Sequence, residues 1–290
     1  MATGVQSEQD HQAYAVTYSN GTWGKPVLMD SNGTITSISC PTTTFCAAVS
    51  QSYGDAVTYS NGTWGKPVRV DASNGLDSVS CPSSTFCVAD DLAHDAVTYS
   101  NGIWGKLVQF EGGLDCSAGD CGGDALNDGS VSCATTTFCV AFDGSDGVAW
   151  TYSNGTFRTP VEVVPGFTMN SVSCPSSTFC VAVGDGDYAV TYSNGAWGKP
   201  VDVDNSDAVP HSGLFSVSCA SSAFCVAVGV QAEGGQTYQS YTVTYSNGTW
   251  GKRVDAGGEG APVFSVSCPS STFCAATDSQ SELLTYPKGG

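Results

Sequence analysis

The sequence predicts an all-β fold, a six-bladed β-propeller built from four-stranded antiparallel blades. The first observation is a repeated stretch, SVSCPSSTFCVAV at residues 171–183, with near-copies that start at residues 37, 78, 130, 216 and 265. The second is the spacing between successive first cysteines, which is 41 to 52 residues; periods in the forties are typical of propeller blades or helical arrays. The third is that each unit lacks helical periodicity and divides into four short segments rich in Val, Thr and aromatic residues.

The blades are predicted to begin near residues 37, 78, 130, 171, 216 and 265, in one domain at 13–290 that follows a tail at 1–12. The first, second and fourth segments each occur six times and the third seven times, which favours six blades over seven. We expect the early fourth strand at residues 23–29 to complete the last blade and close the propeller. The spare third strand, at 13–18 or 283–286, would then lie outside the ring or pair with another molecule.

The first and second strands of each unit carry a cysteine pair. Twelve of the fourteen cysteines form pairs six positions apart, and the last two lie in one insertion. The pairs are Cys40 with Cys46, Cys81 with Cys87, Cys133 with Cys139, Cys174 with Cys180, Cys219 with Cys225 and Cys268 with Cys274, and the insertion adds Cys116 with Cys121. We predict a disulfide within each pair, with free buried thiols as the alternative, since zinc sites usually combine closer pairs with others or with His.

Disulfides form in oxidising compartments, so the protein is expected to be secreted or extracellular. The N-terminal residues show neither the charged nor the apolar region of a signal peptide.

The third and fourth strands are joined by an Asn-Gly turn. YSNGTW starts at Tyr18, Tyr59 and Tyr245, with variants in the other units. Asn-Gly favours a type I′ hairpin, because both central residues need positive φ. Such a turn places Tyr59 opposite Trp64. We interpret these aromatic rings as core between blades, although exposed rings could instead stack on sugars.

Composition excludes several classes of partner. The chain has 290 residues, 41% of them hydrophobic and only 12% charged, with a formal net charge of −18. Nucleic acids and anionic membranes both need a basic surface, so neither is an expected partner. No apolar run is long enough to span a bilayer.

Acidic residues concentrate in the loops between second and third strands and between blades, which share one face of a propeller. We predict a ligand or cation site at Asp143, Asp146, Asp185 and Asp187. Ca²⁺ is the possible cofactor, because it is bound by six to eight oxygens; the alternative is that the acids only keep the protein soluble. No other cofactor is indicated and no metal-binding residue is assigned.

No catalytic residues are predicted. The sequence contains no G-x-S-x-G motif, and its three His residues lie outside the repeats. The sequence therefore does not decide whether the protein is an enzyme, and a non-enzymatic role is favoured.

The hairpin TYSNGTWGKPV resembles the Asp-box of sialidase-type propellers. Ser19, Gly21, Thr22 and Trp23 match that pattern, whereas Asn20 replaces its Asp. The whole unit, with SCPSSTFC, resembles the cysteine-paired repeats of uncharacterised secreted proteins of actinobacteria and similar soil bacteria. That resemblance implies a propeller and no established activity. Sialidases use three central arginines, and the only arginines here, Arg69, Arg158 and Arg253, fall on fourth strands.

The leading functional prediction is a secreted, non-enzymatic recognition module that binds a glycan or surface polymer, as a lectin does. The alternatives are a protein-interaction or assembly scaffold and a glycan-processing enzyme of the sialidase-like type. The site is expected on the acidic loop face, in the central channel or in the grooves between blades. A repeated pocket would favour multivalent binding. The protein would be a monomer or would assemble through the spare terminal strand.

Overall fold

The structure, a computed structural model, describes residues 2–5, 12–19, 22–31, 33–72, 74–91, 95–109, 129–142, 147–203, 212–232, 238–256, 262–278 and 283–286. The protein is an all-β, six-bladed propeller of antiparallel sheets, each with its own disulfide, as predicted. The described residues include no helix that could cross a membrane.

The strands group into an N-terminal sheet and six blades that we number 1 to 6 in chain order. The N-terminal residues form β1 (Ala2–Val5), β2 (Ala13–Val16), β3 (Tyr18–Ser19), β4 (Thr22–Trp23) and β5 (Val27–Asp30). Blade 1 contains β6 (Ile35–Thr42), β7 (Phe45–Ser50), β8 (Asp55–Ser60), β9 (Thr63–Trp64) and β10 (Val68–Arg69). Blade 2 contains β11 (Leu76–Ser83), β12 (Phe86–Asp91), β13 (Asp95–Ser100), β14 (Ile103–Trp104) and β15 (Val108–Gln109). Blade 3 contains β16 (Ser130–Thr135), β17 (Phe138–Phe142), β18 (Val148–Ser153), β19 (Thr156–Phe157) and β20 (Val161–Glu162).

The remaining blades follow the same order. Blade 4 contains β21 (Met169–Ser176), β22 (Phe179–Gly184), β23 (Tyr188–Ser193), β24 (Ala196–Trp197) and β25 (Val201–Asp202). Blade 5 contains β26 (Gly213–Ser221), β27 (Phe224–Ala232), β28 (Tyr238–Ser246), β29 (Thr249–Trp250) and β30 (Val254–Asp255). Blade 6 contains β31 (Val263–Ser270), β32 (Phe273–Asp278) and β33 (Leu283–Tyr286).

The fourth strand of each complete blade is split into two short pieces. In blade 1, β9 and β10 both pair with β8, and residues 65–67 lie between them. The Gly65 N–H still donates to the Thr58 carbonyl at 2.8 Å, whereas Pro67 has no N–H to donate. Proline is tolerated on edge strands, and a broken outer edge discourages pairing with other chains.

Each disulfide joins the first two strands of one blade, which confirms the predicted pairing for the six repeat pairs. The bonds join Cys40 to Cys46, Cys81 to Cys87, Cys133 to Cys139, Cys174 to Cys180, Cys219 to Cys225 and Cys268 to Cys274. Their Cα–Cα distances are 3.9 to 4.1 Å, and in blade 5 the two cysteines lie directly opposite each other in the register of β26 and β27. The alternative of free buried thiols is therefore wrong for these twelve residues. The predicted bond between Cys116 and Cys121 lies outside the described residues and stays a prediction.

The serines of the repeated SxSC motif join the first strands of neighbouring blades. Ser37 Oγ accepts a hydrogen bond from Val79 N–H at 3.1 Å, and Ser39 Oγ accepts one from Cys81 N–H at 2.9 Å. The same two bonds recur from Ser78 and Ser80 to blade 3, from Ser171 and Ser173 to blade 5, and from Ser216 and Ser218 to blade 6. Backbone donors on the first strands of blades 2, 3, 5 and 6 are thereby satisfied, as buried polar groups require.

The hydrophobic core lies between adjacent blades. All six residues of β7 in blade 1 are buried, and its Phe45, Ala47 and Val49 pack with Val79 and Tyr99 of blade 2. Small and β-branched side chains dominate because each sheet packs on both faces.

The N-terminal strands differ from the predicted closure. β5 pairs with β2, with Tyr14 opposite Leu28 and Ala15 opposite Val27, and does not extend blade 6 in the described residues. The partner strand is close in sequence, so pairing with it closes only a short loop. Neither candidate for a spare strand is unpaired, since β2 also pairs with β1 and β33 pairs with β32. Ala2–Val5, within the predicted tail, therefore belongs to a sheet.

The chain divides into two compact units. One comprises Met1–Ala141 and Trp150–Pro160, and the other comprises Phe142–Ala149 and Val161–Gly290.

Candidate functional site

The two ends of a blade have different chemistry. One end carries the Ser/Thr-rich turn between first and second strands and the Asn-Gly turn of the third and fourth strands, and we call it the turn face. In blade 1 the turn face consists of residues 42–45 and 60–63, none of which is ionisable. The other end, which we call the loop face, carries the loops between second and third strands and between blades.

The Asn-Gly turns have the predicted type I′ geometry. Asn61 has φ of 46° and Gly62 has φ of 101°, which places Tyr59 opposite Trp64 as expected. The φ angles of Asn101, Asn154, Asn194 and Asn247 lie between 48° and 51°. The turn is thus nearly identical in five blades.

Hydrogen bonds hold the two turns of a blade together. Asn61 N–H donates to the Thr44 carbonyl at 2.9 Å, and the equivalent bonds in the next four blades are 2.9 to 3.0 Å long. Within the Ser/Thr-rich turn of blade 2, Thr85 N–H donates to Ser83 Oγ at 3.3 Å. These bonds fix the backbone of the turn face.

A groove opens on the turn face between blades 1 and 2. Its volume is about 450 Å³. Hydroxyl and amide side chains line most of it, with two aromatic rings beneath them; the principal residues are Thr44, Ser60, Asn61, Thr85, Tyr99 and Asn101. Apart from the phenol of Tyr99, the lining contains no ionisable group, although the protein has a net charge of −18.

The floor of this groove is a contact between aromatic rings of adjacent blades. The ring centroids of Phe45 and Tyr99 are 5.7 Å apart, and both rings are buried. Two further pairs have centroid distances of 5.8 Å, Phe86 with Tyr152 and Phe179 with Tyr245. The same floor is therefore built at three blade boundaries within the described residues.

Three of the hairpin tryptophans pack into the core between blades, whereas Trp23 of the N-terminal hairpin is 43% exposed. Trp104 is half-buried and packs against the hydrophobic cluster of blades 1 and 2, and Trp250 packs in the same way against blades 4 and 5. Trp64 packs against a cluster that includes Ala13 and Met29 of the N-terminal sheet. These positions agree with the core interpretation and do not present open aromatic platforms.

On the loop face, two of the four predicted aspartates are described. Asp185 is exposed and accepts a hydrogen bond from Asn170 Nδ2 at 3.0 Å. Asp187 is buried, and its carboxylate accepts a hydrogen bond from the Tyr241 hydroxyl. The other two, Asp143 and Asp146, lie outside the described residues, so a joint site for all four stays a prediction.

The loop face also has a smaller cleft between the N-terminal sheet and blade 1. It has a volume of about 400 Å³, and Asp30, Tyr53, Asp55 and Arg69 are among its lining residues. Arg69 Nε lies 2.8 Å from the Asp55 carboxylate, and its guanidinium lies 5.2 Å from the Tyr53 ring centroid. The Arg69 guanidinium in this cleft is thus held by a carboxylate and an aromatic ring of the same blade.

Sequence reasoning missed a buried acid in blade 2. Asp90 occupies the position of Val49 in blade 1, and its carboxylate accepts a hydrogen bond from Ser78 N–H at 3.0 Å. Burial, and then the nearby charge of Asp77, raise the pKa of Asp90 well above its ordinary value of 3.8. An alignment of the repeats could have found it, since a carboxyl replaces a core valine.

A metal site is not defined by the described side chains. Among them, no group of three or more His, Cys, Asp or Glu residues could hold a metal ion. Ca²⁺ binding by the loop face therefore stays a prediction.

Comparisons with known proteins support the architecture. No protein-family model matches the sequence, and no curated protein sequence matches it. A solved structure of YCF48 bound to a D1 peptide has a TM-score of 0.64 at 11% identity and covers 99% of this chain and 90% of that one. A structure of YCF48 from Cyanidioschyzon merolae has a TM-score of 0.63 at 12% identity and covers 98% of this chain and 93% of the other. At these identities the likeness shows the fold alone, that of a β-propeller.

Proposed function

We propose that this protein is a non-enzymatic recognition module that binds a macromolecular partner, with a glycan or another surface polymer as the favoured class. The observation that carries the proposal is the repetition of the elements that build the turn-face groove, its aromatic floor and its turns. The aromatic floor recurs at three described blade boundaries, and the turns that form the rims have the same geometry in five blades. Repeated equivalent sites suit a polymer with repeated units, because such a partner can engage several of them at once.

The shape of the groove supports binding of a long ligand. The groove between blades 1 and 2 has a largely polar lining above a buried aromatic floor, so a single contact would be weak. Linked contacts raise the overall affinity by factors of about 10² to 10⁴ when the geometry permits simultaneous engagement. Weak repeated sites therefore make a useful binder only for a multivalent partner.

The six disulfides indicate an oxidising, extracellular-type environment. We propose that the protein is secreted and meets its partner there. Surface polymers are abundant outside cells, which agrees with the favoured partner class.

A protein-interaction scaffold is the second candidate function. It is favoured by the similar propeller whose structure contains YCF48 bound to a D1 peptide. A propeller of this architecture can thus hold a polypeptide. In this alternative, a partner protein would dock on the turn face.

Binding measurements separate the two candidates. The intact, oxidised protein would be tested against an array of glycans and polysaccharides, and by cross-linking against proteins of an extracellular extract. We expect polymer binding that strengthens with chain length, because longer chains span more grooves. Saturable binding of one protein with no response to any polymer would replace the favoured function with the scaffold.

The loop face provides a separate test of the Ca²⁺ proposal. If Asp143, Asp146, Asp185 and Asp187 bind Ca²⁺, millimolar Ca²⁺ should raise the melting temperature, because a ligand that binds only the native state stabilises it. Asp185→Asn should reduce this rise, and the exposed Asp202→Asn is the control. An unchanged melting temperature of the wild type in Ca²⁺ would rule out the cation role.

A further inference from the structure

We propose that the groove between blades 1 and 2 is one of a set of equivalent subsites for an uncharged, hydroxyl-rich polymer, and that Asn61 and Asn101 provide its principal hydrogen bonds. This inference rests on the proposed recognition function and specifies its site and the chemistry of its ligand. It places the primary contact on the turn face, whereas the sequence predicts a site on the acidic loop face.

The chemistry of the lining selects an uncharged ligand. Ser and Thr hydroxyls both donate and accept hydrogen bonds, and Asn amides present one acceptor and two donors. These are the groups that match sugar hydroxyls. An anionic chain would find no cation in the lining and would approach a protein with a net charge of −18. A cationic chain would find no carboxylate in the lining.

The burial of the aromatic rings determines how a polymer ligand would be bound. Phe45 and Tyr99 are only 7% and 8% exposed, so they form a floor and offer no open ring for stacking. The exposed groups are the polar side chains of Ser60, Asn61 and Asn101. Recognition would therefore depend on hydrogen bonds from the rims.

The rims are pre-organised for this role. Both asparagines are held in left-handed turns, and their N–H groups are fixed by the carbonyls of Thr44 and Thr85 at 2.9 Å. Little backbone entropy would be lost on binding, which favours affinity from few contacts.

The residues that build the subsite recur in other blades. Asn101 belongs to the turn of blade 2, so it can contribute to the groove on either side, toward blade 1 or toward Asn154 of blade 3. In blades 4 and 5, Asn194 and Asn247 are the equivalent residues above the floor formed by Phe179 and Tyr245. A single polymer molecule could in this way occupy successive grooves.

The test compares binding of defined polymers to groove variants. The probes are soluble unbranched glucan and mannan chains, with polygalacturonate as the anionic counterpart and an unstructured neutral peptide as the protein probe. The variants are Asn61→Asp with Asn101→Asp, and Asn61→Gly with Asn101→Gly. Asp and Gly both tolerate the left-handed turn, so melting curves should confirm that both variants fold. Gln109→Glu, on the exposed outer strand of blade 2, controls for added negative charge.

We expect the wild type to bind a neutral chain, both groove variants to lose at least about tenfold in affinity, and Gln109→Glu to bind as the wild type does. Polymer binding that is unchanged in folded groove variants would overturn the assigned site while leaving the recognition function intact. Binding of polygalacturonate or the peptide in preference to neutral chains would overturn the ligand class. Failure to bind any polymer or peptide would overturn the inference together with the function on which it rests.

Discussion

Single residues adapt a repeated blade to its surroundings. Asp90 is a buried carboxyl at a position that is apolar in blades 1, 4 and 5, where Val49, Val183 and Val228 are fully buried. A charged group in such a site loses its hydration, so the protonated form is favoured. One substitution within the repeat is therefore expected to make the stability of the protein depend on pH.

The first prediction concerns Asp90 and pH. Its folded-state pKa lies above the ordinary value of 3.8, so between these two pKa values the native state binds more protons than the unfolded state. Stability should therefore fall as pH rises through this window. Asp90→Asn keeps the oxygen that accepts from Ser78 N–H and removes the charge, so it should raise stability at neutral pH and flatten the profile.

Chemical denaturation between pH 4 and pH 8 would measure this effect, with the exposed Asp202→Asn as the control. A parallel loss of stability with rising pH in both the wild type and Asp90→Asn would show that another group is responsible.

Elements are joined in two ways in this fold. Within a blade, the disulfide and the Asn-Gly turn fix the hairpins. Between blades, the serines of the first strands accept hydrogen bonds from the next first strand. The sequence motif SxSC thus combines a bond within the blade with two bonds to its neighbour, which explains why serine and cysteine recur together.

The second prediction concerns this link between first strands. Ser80 Oγ accepts a hydrogen bond from Cys133 N–H at 2.9 Å, so Ser80→Ala leaves a backbone donor without its acceptor. We expect a loss of about 1–3 kcal/mol in the free energy of unfolding. Ser84→Ala, at an exposed turn position of the same blade, should change it little, and denaturant titration would compare them. Equal stability of the two variants would show that water replaces the serine.

At the scale of the whole molecule, the acidic side chains and the repeated turns lie at different ends of the blades. Among the described residues, the acidic side chains lie near the loop-face ends of the strands and in the adjoining loops. The turns of the turn face repeat uncharged groups in blades 1 to 5, and in blade 3 the Arg158 guanidinium donates to Ser153 Oγ at 3.3 Å. The N-terminal sheet departs from the repeat because it has no cysteine pair. Its Ala13, Ala15 and Met29 pack against blade 1. Its contribution to stability is therefore one of packing.

The third prediction concerns the N-terminal sheet. Deleting residues 1–30 should lower the melting temperature and promote self-association, because Ile35 and Ala48 of blade 1 would lose their apolar cover. Met29→Ala should cost about 2–5 kcal/mol, as for other buried methionines. Leu28→Ala is the matched control, since Leu28 is 46% exposed and Met29 only 4%. A truncated protein that stays monomeric with an unchanged melting temperature would contradict this role.

The sequence alone determined the blade pattern, the six disulfide pairs and the Asn-Gly hairpins. Each of these depends on residues close together in the chain: two cysteines six positions apart meet across their own hairpin, and Asn-Gly favours the positive φ angles of its turn. The hairpin pattern also predicts that Trp104 lies opposite Tyr99, and from this pairing we interpret Trp104 as a core residue.

The tertiary structure decided the features that depend on neighbours distant in sequence. The turn-face groove exists because blade 2 places Tyr99 and Asn101 beside Phe45 and Asn61 of blade 1, and no local pattern encodes that distance. The pairing of β5 with β2 was likewise open in the sequence, since a fourth strand carries the same residues whichever third strand it joins. Local hydrogen bonding and covalent geometry fix the blade, whereas packing between blades decides which side chains meet to form a site.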